Sequence, residues 1–149
     1  MARKVKIVEP HFDPVLPRFM NTLVHLCDRL HKELPRLNEV ELHVKRGDDF
    51  SEATLCNYRR QLDHELCTGF KLTVYFWAAK RKKLHERYLI TDCGILDINY
   101  GWDESDLDGD DTPVALLSED RRREEWQRYS VGSEDFDLDP QKHVLVLGG

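Results

Sequence analysis

The sequence predicts one α/β domain, a mixed β-sheet flanked by helices. Three observations predict it. Alternating, β-branched runs recur along the chain. Two long segments carry apolar residues three or four apart. At 149 residues, 40% apolar and 34% charged, the chain holds enough material for a single core spanning 1–149.

The elements follow in order. Val5-Lys6-Ile7-Val8 alternates and reads as a strand, which two prolines, Pro10 and Pro14, bring to an end. From about Val15 to Leu34, the residues Leu16, Met20, Leu23, Cys27, Leu30 and Leu34 share one helical face, and Pro35 marks the stop. Val40 to Lys45 alternates as a half-buried strand before the turn Arg46-Gly47-Asp48-Asp49. Ser51 and Glu52 start a second helix with the stripe Leu55, Tyr58, Leu62 and Leu66, ended by Thr68-Gly69. Phe70 to Phe76 is the strongest strand. Arg87 to Thr91 and Ile95 to Tyr100 follow, separated at Gly94. Pro113 to Leu117 and Val144 to Leu147 are short apolar strands, and Glu119 to Tyr129 between them is a charged surface helix. The order β-α-β-α-β-β-β, then β-α-β, calls for a mixed sheet. The acidic stretch 103–111 reads as a solvated loop.

Composition excludes several classes. The longest apolar run, Val74 to Ala79, is far short of the ~20 residues that span a bilayer. No secretion signal is visible in Ala2-Arg3-Lys4-Val5-Lys6, so the expectation is a cytoplasmic protein. Net charge is −6, with residues 1–102 at +3 and residues 103–149 at −9. That total argues against a general nucleic-acid coat, though not against a local basic site. Cys27, Cys56, Cys67 and Cys93 include no C-x-x-C pair and read as reduced, mostly buried thiols. His64 and Cys67, three apart, are better explained by packing than by a metal. No metal or cofactor is called for.

The densest chemical signal is His85-Glu86-Arg87-Tyr88-Leu89-Ile90-Thr91-Asp92. On a strand, His85 and Arg87 point to the same face, placing an imidazole beside a guanidinium. That pair can cradle a phosphate, the arginine as a planar fork of donors and the histidine as nucleophile or proton carrier. Lys80, Arg81, Lys82 and Lys83 raise the positive potential just upstream. The plainer explanation is that His85 and Arg87 pair with helix carboxylates such as Asp63 or Glu65.

His85, Arg87 and Asp92 keep the spacing of the phospholipase D motif H-x-K-x4-D, with Arg for Lys. Closer still, His85-Glu86-Arg87, Gly94, Ile95 to Ile98 and Gly101-Trp102-Asp103 are similar to the phospholipase D-like domain at the C-terminus of MIT-domain proteins. The resemblance implies a single phospholipase D-like lobe that works as a homodimer. It also implies a catalytic set of His85, Arg87 and Asp92 if the protein is active, since single-motif members bring two histidines together by dimerising. The ligand-binding set it points to is His85, Arg87, Lys83, Asn99 and Asp103. Arg replaces Lys, and the usual pair of small residues followed by Asn is missing, so the expected function is a diverged, non-catalytic module. It would bind a phosphate-bearing ligand (lipid headgroup or nucleic acid) or a protein partner, as a component of a larger, possibly prokaryotic, system. The alternative is a dimeric, metal-independent phosphodiesterase or nuclease with His85 as nucleophile. A third reading has the acidic C-terminal half dock on a basic partner.

Two look-alikes carry less. His43-Val44-Lys45 repeats H-x-K, but the position seven after His43 is Phe50 rather than Asp. Glu104, Asp106, Asp108 and Gly109 mimic half a calcium loop, but its twelfth position is Ala115 where a bidentate Glu is needed.

Overall fold

The computed structural model describes residues 2–66, 69–98 and 114–148. Strand β1 (Lys4–Val8), helix α1 (Pro17–Glu33), β2 (Glu39–Lys45), α2 (Glu52–Glu65) and β3 (Lys71–Ala79) form two successive β-α-β units. After them come β4 (Tyr88–Thr91), β5 (Ile95–Ile98), β6 (Val114–Leu116), α3 (Glu119–Arg128), β7 (Phe136–Asp137) and β8 (Val144–Leu147). The fold is mixed α/β, with the described strands in one sheet of order β6-β5-β4-β1-β2-β3-β7 and β8 also paired to β3. β1, β2 and β3 are parallel, and the remaining pairings are antiparallel.

Two crossovers in the same direction put α1 and α2 on one face, as right-handed connections require. Alternation along the central strands then assigns each side chain. Val5 and Ile7, Val40, Leu42 and Val44, and Leu72, Val74 and Phe76 join Phe19, Met20, Leu23, Cys27, Tyr58 and Leu62 in the larger core. The intervening residues Lys6, Val8, Glu41, His43, Tyr75 and Trp77 look the other way. There Val8 and Trp77 pack with Tyr88, Ile90, Tyr129 and Phe136 beneath α3.

Pro17 opens α1, where its missing N–H costs nothing, and the chain leaves the helix at Leu34 ahead of Pro35. Leu16, expected in the apolar stripe, stands before the first turn and is exposed. β3 runs three residues past the expected Phe76, and β7, unanticipated, closes on that extension at Ala78 and Ala79. Gly132, with φ of 88°, makes the turn after α3 in a conformation that favours glycine. Of the thiols, Cys27 is buried, whereas Cys56 and Cys93 are exposed, contrary to the expectation of mostly buried cysteines. Among the described residues, no helix is long and apolar enough to cross a membrane.

Candidate functional site

Of the expected site residues, Lys83, His85 and Arg87 lie in the connection that leaves the carboxyl end of β3, on the side where open α/β sheets hold their ligands. The geometry differs from the one expected. His85 and Arg87 are not on a strand: β4 begins at Tyr88, and both precede it in the connection from β3. They do not share a strand face. The His85 side chain is 69% exposed, its Nε2 lies 2.9 Å from Glu86 Oε1, and its Nδ1 lies 3.2 Å from the Lys83 carbonyl. Arg87 turns to Glu9, the buried residue just past β1, with Nε 3.3 Å from Oε2. Its ion-pair partner is therefore a strand-end carboxylate rather than Asp63 or Glu65. Asp92 sits beyond the opposite end of β4, exposed, beside Cys93. The structure thus separates the three motif positions. Asn99, Asp103, the 101–103 segment and the acidic loop lie outside the described residues, as does Cys67.

His85 and Lys83 do line a cleft of about 280 Å³, whose opposite wall is α3. Arg87 and Asp92 are not among its lining residues. Ser118 caps α3 by accepting from the Arg121 N–H at 3.2 Å. On the next turns, Arg121, Glu125 and Arg128 are spaced four and three apart, so they share a stripe. Arg121 Nη2 donates to the Tyr88 hydroxyl at 3.1 Å and to Glu125 Oε1 at 3.4 Å. Arg128 also donates to Glu125 Oε1, and its Nε donates to Asp135 Oδ2 at 2.6 Å. Glu125 is 2% exposed, and its Oε2 has no hydrogen-bond partner among the described residues. Burial, and after it the charge of Glu125, push the Tyr88 and Tyr129 phenols well above their ordinary range, so both stay protonated. On the opposite wall, the ammonium groups of Lys82 and Lys83 make no ion pair among the described residues, while the Lys82 N–H is held by the Asp135 carbonyl.

Beneath α3 the sheet carries a polar cluster that the alternation of β1 and β2 disguised as solvent-facing positions. Lys6 Nζ donates to the carbonyls of Trp126 (3.1 Å) and Tyr129 (2.6 Å) and to Ser130 Oγ (2.8 Å). An ammonium at the last carbonyls of α3 satisfies its open acceptors and opposes its dipole. Glu41 Oε2 lies 3.5 Å from Lys6 Nζ and 2.8 Å from His43 Nε2. Trp77 Nε1 donates to His43 Nδ1 at 2.8 Å. That bond leaves Nε2 as the protonated nitrogen, donating to Glu41. Burial pulls Lys6 down to about 8. Burial would raise Glu41, but the hydrogen bond from His43 and the nearby lysines outweigh it and hold the carboxyl near 2. Burial lowers His43, so it stays neutral. The H-x-K look-alike therefore resolves into a sealed core histidine rather than a second phosphate motif.

A second, shallower depression of about 630 Å³ opens on the other side of the sheet. Phe12, Tyr58 and Phe76 floor it, and His11, Lys45 and Asp49 are among its rim residues. Among the described residues, no group of three or more His, Cys, Asp or Glu side chains could hold a metal ion. Comparison with protein families, with curated proteins and with solved structures finds no match to this chain.

Proposed function

We propose that the protein is a diverged, non-catalytic phospholipase D-like module that binds a phosphate-bearing ligand in the cleft between the β3–β4 connection and α3. The observation that carries this reading is the convergence of Lys82 and Lys83 on one wall of that cleft, beside the His85–Glu86 pair and opposite Arg121. The two lysines make no ion pair among the described residues, so their ammonium groups can turn to a ligand phosphate. Arg87 is committed to Glu9, and Asp92 stands at the far end of β4. A His-Arg-Asp set working on one phosphorus is not assembled within this chain.

The test is calorimetric titration with inorganic pyrophosphate. Replacing Lys82 and Lys83 by Ala lowers affinity about tenfold, the loss of two partly screened charge contacts. Arg87→Ala instead lowers stability, because it strips the buried Glu9 of one partner, and leaves affinity in place. Loss of binding on Arg87→Ala in a folded protein, with no effect of the lysine changes, would move the ligand out of this cleft.

The exposure of His85 favours one competing reading, since two copies can bring exposed imidazoles together at a dimer axis. Metal-independent cleavage of a labelled phosphodiester by the native protein, abolished by His85→Ala, establishes that reading in place of ours.

A further inference from the structure

We infer that the cleft selects phosphate esters carrying a free hydroxyl, with Glu125 Oε2 accepting from that hydroxyl while Lys82, Lys83 and His85 hold the phosphate. This rests on the phosphate-binding reading above and narrows it to one chemical class.

Glu125 is the reason. Its Oε1 takes both guanidiniums of its stripe, Arg121 and Arg128. Its Oε2 takes nothing among the described residues, a condition shared only by Thr73 Oγ1, which does not line the cleft. A carboxylate oxygen accepts two hydrogen bonds, and native proteins rarely bury one with none. Oε2 can therefore accept from a donor, and two residues that line the cleft say which kind. Arg121 and Arg128 already neutralise the carboxylate, so an ammonium on the ligand would meet two guanidiniums for no gain. A neutral hydroxyl meets no such repulsion. The Tyr88 hydroxyl, which accepts from Arg121, keeps its own proton for a ligand oxygen. The volume of about 280 Å³ suits a small headgroup and falls just below the range of pockets that enclose drug-sized molecules. Oε2 is covered, so a ligand hydroxyl reaches it as lining side chains shift. His85 and Glu86, paired to each other outside both cores, can shift without opening the fold.

The experiment compares glycerol phosphate with propyl phosphate, which matches its chain length and lacks its hydroxyls, on the native protein. A parallel arm compares vesicles containing phosphatidylglycerol with vesicles containing phosphatidic acid, to distinguish a lipid headgroup from a free phosphate ester. The expected result is about a tenfold preference for the hydroxyl-bearing member, the equivalent of one hydrogen bond to a charged group. Preference in the vesicle arm alone assigns a membrane source, and preference in the free arm alone assigns a soluble one. Glu125→Gln brings the ratio close to one. If that variant does not fold, the native ratio decides by itself. Equal binding of both members by the native protein overturns the inference and leaves the phosphate reading standing, as does an unchanged ratio in folded Glu125→Gln. Binding of neither member in either arm removes the phosphate reading itself.

Discussion

The two faces of the sheet are held by different physics. On the side of α1 and α2, the contacts are almost wholly apolar, from Val5 and Leu42 through Phe76 to Met20 and Leu62. Burial of that kind is non-directional and large in sum. On the side of α3, a smaller aromatic cluster is interrupted by Lys6, Glu41, His43 and Glu125, each nearly sealed and each bonded in a specific direction. The first face supplies most of the stability. The second fixes where one short, highly charged helix sits, and the candidate cleft is formed by that helix. Polar anchoring sets position at the expense of strength, because every buried charge must recover its desolvation through good geometry.

The sharpest way to break the comparison is Phe76→Ala. Phe76 is 1% exposed and packs on Tyr58 and Phe50 with ring centroids 4.8 and 5.0 Å away. Its truncation should cost about 3–5 kcal/mol in urea unfolding, while any protein that remains folded keeps its affinity for pyrophosphate. Reduced affinity in that folded fraction would couple the two faces.

Acid should act chiefly through the other face, His143 beside Phe50, held low by burial and by Arg46, being the exception. The larger core holds Cys27 and Tyr58 as titratable groups, and burial pushes both up, Cys27 to about 12, so neither responds in acid. His43 is held below its ordinary 6.5 when folded. The unfolded chain therefore binds the extra proton first, and stability falls as pH drops through 6.5. Glu41 is held at about 2 against an ordinary 4.5. Its contribution is complete above about pH 4.5 and is lost on the way down to about pH 2, worth about 3 kcal/mol if it acts alone. Lys6, at about 8, is protonated in both states throughout this range and adds nothing. Chemical denaturation across pH 7 to 3 should show the decline, and His43→Gln should flatten its upper part. A flat profile would mean the cluster is not sealed.

Lys6→Met separates position from strength. It removes three hydrogen bonds at the end of α3 and leaves Glu41 with His43 and Lys4, for a loss of about 2 kcal/mol. Amide exchange should accelerate in residues 119–128 before it does in α1. Uniform acceleration in both helices would show that Lys6 supports the whole domain rather than α3.

The elements that build the apolar face were legible in the sequence because a period of two or of three to four reports burial on one side. Val40, Leu42 and Val44, and Met20, Leu23 and Cys27, announced themselves. The other face was hidden by the same rule. Lys6, Glu41 and His43 alternate with apolar residues as solvent-facing positions do, and only the arrival of α3, more than 75 residues later in the chain, buries them. The cleft was half legible. Local charge points to Lys83 and motif spacing to His85, and both line it, but Arg121, Glu125 and Arg128 read as a solvated helix face. Their four-and-three spacing was the available signal, and it carries no mark of burial. The place of Arg87 is not legible because its partner Glu9 is remote in sequence, and because the apolar alternation runs on past the start of β4 at Tyr88.

The smallest expected effect on stability tests the cleft itself. Lys82 and Lys83 are exposed, and neither joins an ion pair among the described residues, so changing both to Ala should move unfolding by less than about 0.5 kcal/mol. Pyrophosphate affinity should nonetheless fall about tenfold, and the native affinity should weaken with added salt as screening shortens the reach of those charges. Arg121→Gln serves as the counterpart on the opposite wall. It keeps a donor for Tyr88 but removes a charge beside Glu125, so its loss of affinity should come with a measurable loss of stability. A lysine pair that costs affinity without stability, set against an arginine that costs both, marks one wall of the cleft as free for a ligand and the other as already engaged in holding the fold.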